Sequence, residues 1–470
     1  MRILGGWLPV FAAISIHLAY LLRTTFVDWP EMLLYPWFLT KGLVYYRDVV
    51  LAYVPGAYYF LYAIYSIIGF SPVSERIIAY GLIFITDILV YLTTLRVTGK
   101  RSVSFVALGF FIFWQPIFSG NTIWYETILA PPYLCAYLLA LRYLSKPSKV
   151  HAISLGVVLA SASLIKQTAI WPIAVLCVFL LIGAFRKAGR TRHVILIGVL
   201  PVVANLLVWG YFALLGAGRE FGFWAYGFLL GLTKSDSYYI LLPSRSEIAL
   251  IAPAFIPVAL LAIRRRTGES LLLITMLFAL LAAGLPRWGL HRLQPVLAFA
   301  SVGFGMYIAH FIAEKRRAFI TFGMVTLMVI ALLSWRSFRV FVIIRDPMQP
   351  TFFSDTYMQL LEYVKREATG DVFIYGNYDY LYYGLNTRPA ALPWVPLFPW
   401  NAEVTGMQRR IITALDDNRI PYVLYIPYHP ASGYYLDYRP VELDAYITNA
   451  YEPVGSLPVS GGLLYRRRGN

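Results

Sequence analysis

Eleven apolar segments alternate with short polar connections, at roughly residues 3–22, 74–95, 103–118, 126–144, 150–165, 168–185, 193–215, 248–263, 270–286, 294–312 and 318–336. Many approach the ~20 residues an α-helix needs to cross a bilayer, so the pattern predicts a polytopic helical bundle. Between the first two segments the alternation breaks. Residues 23–73 are too long for a plain connection, and their aromatic mixture predicts helices over Met32–Thr40 and Pro55–Gly69 lying at the headgroup level.

Beyond residue 337 the period changes again. Helices are expected at 355–368 and 402–418, and strands at 371–376, 421–427 and 461–467, which together make a small α/β domain. The fold class is therefore an all-α polytopic membrane protein with about 11 transmembrane helices and a small external α/β C-terminal domain. Its domains are 1–336, including a first external loop at 23–73, and 337–470.

Composition agrees with the pattern. Hydrophobic residues make up 59% of the chain and charged ones 14%, against about 25% charged in soluble proteins. The net charge of +16 is placed by the loops. Basic residues crowd the even-numbered connections: Arg96, Lys100 and Arg101; Arg142, Lys146 and Lys149; Arg186, Lys187, Arg190 and Arg192; Arg264, Arg265 and Arg266; Lys315, Arg316 and Arg317. Only Glu269 and Glu314 oppose them, whereas the odd-numbered connections are nearly balanced.

By the positive-inside rule the even connections are cytoplasmic, so the N-terminus is cytoplasmic and the C-terminal domain external, in a multi-pass protein of the cell membrane. The excess positive charge then faces lipid headgroups. Nucleic acid is not an expected partner. Cys135 and Cys177 fall inside predicted spans, which rules out a disulfide framework.

Candidate chemistry gathers in the external connections. Asp28 and Glu31 open the first loop, and one reading makes them caps of the helix that follows, Asp28 as N-cap and Glu31 in the first turn beside Pro30. Glu126 starts the fourth span, where an acid also complements a helix dipole. Lys166, followed by Gln167, interrupts two apolar segments, and it either snorkels or holds an anion. Arg287, His291 and Arg292 lie before the tenth span and suit a phosphate or lipid headgroups. Arg47 beside Asp48 reads as a local ion pair. Asp87, inside the second span, reads as buried against a polar group of a neighbouring helix.

These residues in this order carry a resemblance. Asp28 and Glu31 after the first span, Gly42, the run Tyr45-Tyr46-Arg47-Asp48 and Pro55-Gly56 with trailing aromatics resemble the first loop of GT-C-type integral membrane glycosyltransferases. The chain is similar to the protein O-mannosyltransferase-like group, glycosyltransferase family 39 and its relatives, including the aminoarabinose transferases of lipid A. The likeness extends through Lys166-Gln167 and His291-Arg292 to the tail. In much of that family the first-loop acids are adjacent. Here Trp29 and Pro30 separate them, which leaves Asp28 in register with the catalytic position.

The resemblance implies transfer of a sugar from a polyprenyl-phosphate-linked donor to an acceptor hydroxyl of a protein, glycan or lipid on the external face. Asp28 is the expected catalytic base, with Glu31 orienting hydroxyls. Glu126, Lys166, Gln167, Arg287, His291 and Arg292 are the expected substrate-binding set. Some such enzymes hold a divalent ion between external carboxylates, for which Asp28 and Glu126 are the pair present. No metal or other cofactor is expected, since no His/Cys/Asp/Glu cluster has zinc spacing and no Gly-rich loop cradles a nucleotide. The alternative is a polytopic lipid or solute transporter or flippase, which predicts several charges at membrane depth.

Overall fold

A computed structural model of the chain describes residues 7–185, 191–228, 231, 241–264, 267–284, 287–313, 332, 335, 354–376, 379–396, 398–426, 440–457 and 462–469. Each of the first ten apolar segments coincides with a helix: Leu8–Leu22, Pro72–Thr98, Arg101–Ile117, Tyr125–Ser145, Lys149–Ile165, Ile170–Phe185, Thr191–Leu214, Arg245–Arg264, Gly268–Ala283 and Gln294–Ala313. The eleventh segment, 318–336, lies outside the described residues apart from Leu332 and Trp335.

Local sequence sets the helix ends. Ser148 and Thr267 accept N–H bonds from His151 and Ser270 and cap the helices they precede. Among the described residues five helices are long and apolar enough to cross a bilayer, namely Pro72–Thr98, Tyr125–Ser145, Thr191–Leu214, Arg245–Ile263 and Leu290–Ala313. The others, such as Leu8–Leu22, are shorter apolar helices.

Contacts divide the chain into two compact units. The first comprises Met1–Val27, Glu75–Leu207 and Leu241–Asp346. Its centre is the helix Gln294–Ala313, which is buried at every residue from Gln294 to Ala309 and packs on Arg101–Ile117, Tyr125–Ser145, Arg245–Arg264 and Gly268–Ala283. Close approach rests on missing side chains, as is usual between helices in lipid. A Cβ at Gly305 would lie 2.4 Å from the Thr94 methyl, and one at Gly303 would lie 2.8 Å from Val258. Asp87 finds the buried partner expected of it in His17, whose Nδ1 lies 2.9 Å from Asp87 Oδ2. Both side chains are 1% exposed. Cys135 and Cys177 are free.

The second unit comprises Asp28–Ser74, Val208–Ile240 and Pro347–Asn470, so the first loop and the tail belong together. The loop forms helices Pro30–Thr40 and Gly56–Ile68, as its aromatic pattern predicts. Gly42 ends the first of them at φ +77. Its N–H bonds to the Leu39 carbonyl while Leu43 bonds to that of Phe38, a Schellman closure that a side chain at position 42 would strain. Trp394 is the docking point between loop and tail. It stacks edge-on against Tyr35 and Phe38 and exchanges backbone bonds with Asp48 and Val50. Residues 218–227 form two short helical turns that bury Phe221 and Trp224.

In the tail, the helices Asp355–Glu367 and Met407–Asp417 and the strands β1 (Val372–Gly376) and β2 (Tyr422–Ile426) form where expected. The order continues with helix Val441–Ala450, β3 (Tyr451–Ser456) and β4 (Leu463–Arg467). The sheet order is β1-β2-β4-β3, with β1 and β2 parallel and the remaining pairs antiparallel. Strand β3 was not expected. It contains Pro453 and Gly455, both unfavourable in a strand, and tolerates them because it is an edge strand with a bulge there.

Candidate active site

In the first unit the substrate-binding residues read from the sequence converge. Trp124 is the N-cap of helix Tyr125–Ser145, which places Glu126 in the first turn and buries it. Lys166 ends helix Lys149–Ile165 in an extended conformation, and the 3₁₀ turn Gln167–Ala169 follows. Its ammonium does not snorkel. Lys166 is 2% exposed and forms a buried ion pair with Glu126 Oε1, with the Tyr125 ring 5.8 Å from Nζ. Burial explains the pairing, because neither charge is tolerable alone away from water.

Arg287 pairs its backbone with Leu241, and the 3₁₀ turn Leu290–Leu293 carries His291 and Arg292. The turn packs on helix Tyr125–Ser145, and the His291 ring meets Trp124 edge-on at 5.6 Å. Lys166, Arg287 and Arg292 all act electrostatically on that ring. A Cβ at Gly289 would come within 2.8 Å of the imidazole, so this glycine leaves room for it. Gln167 is partly exposed beside Lys166. Three cations thus act on the His291 ring, and one of them, Lys166, is paired with the buried Glu126 carboxylate.

The second unit holds the first-loop acids. Asp28 is 3% exposed. It does not occupy the N-cap, as one reading of the sequence had it; Trp29 does, with Pro30 first in the helix and Glu31 in its first turn. Pro30 fixes that register, because proline without an N–H is best accommodated at the first helical position. Glu31 is partly exposed. Asp379 acts on Glu31 electrostatically, and burial first and Glu31 second push its carboxyl well above the usual carboxylate range.

Sequence reasoning missed Asp379. One signal existed: it follows the carboxyl end of a strand with a parallel neighbour, where α/β domains place sites. Arg47 and Asp48 form the local pair expected, at 2.8 and 2.9 Å. Burial pushes the Asp48 carboxyl up, but the bonds from Arg47 and the Val44 N–H outweigh it and hold it low.

Among the described residues no three His, Cys, Asp or Glu side chains gather.

No protein-family model matches the sequence, and no curated protein matches it. Solved structures do. ArnT from Cupriavidus metallidurans in the apo state aligns with a TM-score of 0.63 at 14% identity over 98% of both chains. The same protein bound to undecaprenyl phosphate gives 0.61 at 14% identity, again over 98% of both. An Archaeoglobus fulgidus oligosaccharyltransferase tethered to an acceptor peptide gives 0.53 at 12% identity, over 88% of this chain and 68% of that one. The chain therefore has the GT-C glycosyltransferase fold expected of it and is a multi-pass membrane protein. These neighbours do not single out mannosyl transfer.

Proposed function

From a GT-C fold carrying a group of cations that includes the buried Lys166 and Arg292, we propose that the protein is a membrane glycosyltransferase. It moves a sugar from a polyprenyl-phosphate-linked donor to an acceptor hydroxyl on the external face of the cell membrane. The observation that carries this reading is the buried Lys166 ammonium, which with Arg287 and Arg292 acts electrostatically on the His291 ring. Lys166 pairs with the Glu126 carboxylate, and cationic side chains of this kind suit a phosphate. That ArnT, with the same fold, is seen bound to undecaprenyl phosphate supports a lipid phosphate in that role. The oligosaccharyltransferase tethered to a peptide supports an acceptor brought from outside the lipid.

In the proposed reaction the acceptor oxygen bonds to the anomeric carbon as the bond from that carbon to the phosphate oxygen breaks. The acceptor proton passes to the Asp28 carboxylate, and the polyprenyl phosphate leaves with the bonding electrons. Asp28 is the base. Glu31 orients hydroxyl groups. Lys166, Arg287 and Arg292 stabilise charge that grows on the departing phosphate, with Glu126 holding the ammonium in place. Gln167 and His291 complete the lining of the phosphate group.

Incubating the purified protein with a panel of polyprenyl-phosphate sugars and an acceptor mixture tests this. Release of lipid phosphate with at least one donor is expected. Binding of such lipids without turnover across the panel would favour a transporter.

A further inference from the structure

The chain reaches Asp28 through an irregular segment, 23–27, that follows helix Leu8–Leu22. Asn121, about a hundred residues further on, holds that segment. Its Nδ2 donates to the Leu21 carbonyl at 2.9 Å, the Thr24 hydroxyl at 2.9 Å and carbonyl at 3.2 Å, and the Thr25 carbonyl at 3.3 Å. One amide has two hydrogens, so these bonds are shared. They tie the last turn of the helix, at Leu21, to the Thr24 and Thr25 carbonyls beyond it.

Two further bonds fix Val27. Its N–H donates to the Asn121 carbonyl at 3.0 Å, and its own carbonyl accepts from Thr122 Oγ1 at 2.6 Å, forming a parallel bridge. Of these bonds only the one to Leu21 reaches the helix, and those to Val27 lie five residues beyond its end. They immobilise both polar backbone groups of the residue bonded to Asp28.

The platform is itself rigid. Gln115 donates to the Gly120 carbonyl at 2.7 Å, and Gln294 donates to that of Phe118 at 2.9 Å. A Cβ at Gly120 would lie 2.3 Å from the Gln115 amide and 2.5 Å from Gln294 Oε1. Asn121 and Thr122 are buried, at 4% and 0% exposure.

We propose that Asn121 and Thr122 are positioning residues for the Asp28 carboxylate, acting through Val27. This rests on Asp28 being the base. A carboxylate that must meet an acceptor proton at hydrogen-bond distance loses rate when its backbone wanders, whereas the cations that would hold the donor phosphate are separate side chains.

The test uses the full-length purified protein. Thr122→Val keeps shape and removes the hydroxyl, and Thr122→Ser restores it. Thr122→Val is expected to lower kcat by about tenfold to a hundredfold while undecaprenyl phosphate binds within about twofold of wild type. Thr122→Ser should recover most of the rate. Hydrogen exchange over residues 24–31 should quicken in Thr122→Val with the helix Tyr125–Ser145 unaffected, a readout that needs no turnover. If Thr122→Val does not fold, Thr122→Ala takes its place. Unchanged kcat and exchange in Thr122→Val, beside an inactive Asp28→Asn, would overturn the positioning role alone. Full activity of Asp28→Asn would overturn both the base and its positioning.

Discussion

Lys166 and Glu126, forty residues apart in the chain, meet as a buried ion pair at the ends of two helices. Each charge is tolerated because the other is there. Lys166→Ala would leave a buried carboxylate uncompensated, so detergent-solubilised protein should lose about 3–5 kcal/mol of stability. The double variant Glu126→Gln/Lys166→Gln should recover most of that loss without regaining affinity for a lipid phosphate. A thermal-shift series with and without undecaprenyl phosphate separates the two effects, and equal binding by the double variant would remove Lys166 from the donor site.

Asp28→Asn tests the base. Because Trp29 and not Asp28 occupies the N-cap, the substitution should leave the helix Pro30–Thr40 intact. Turnover should fall on the order of 10²–10⁴-fold, as expected when a general base is removed. Glu31→Gln should cost less. The opposite ranking in a steady-state assay would move the base to Glu31.

Asp379 gives a pH signature in the second unit. Its carboxyl is raised from 3.8, first by burial and then by Glu31. The folded state therefore binds the proton more tightly than the unfolded one. Stability from this group is fully present below the unfolded value and is lost as pH rises through the folded value. Asp379→Asn should match wild type in strong acid and exceed it in thermal stability as pH rises. A wild-type advantage that grows with pH would contradict the assignment.

Orientation is testable without activity. A reporter active only in the cytoplasm, fused after Asn470, should be silent, and one fused in the connection holding Arg142 and Lys146 should be active. Strong signal from the first fusion would invert the topology inferred from the basic loops.

The sequence by itself determined where helices run. An apolar stretch in lipid has to satisfy its own backbone, so span and helix coincide from Leu8–Leu22 to Gln294–Ala313. It also marked the residues that carry candidate chemistry, because acids and bases are conspicuous in a chain with few charges. Partnership was another matter. Periodicity says which residues share a helix and nothing about which helices touch, so the Lys166–Glu126 and His17–Asp87 pairs belong to tertiary structure. So do the docking of the tail on the first loop through Trp394, the edge position that lets β3 hold Pro453, and the bonds from Asn121 and Thr122 to the segment before Asp28. Each depends on a contact across dozens to hundreds of residues, where packing and the need to satisfy buried polar groups select the partner and local sequence does not.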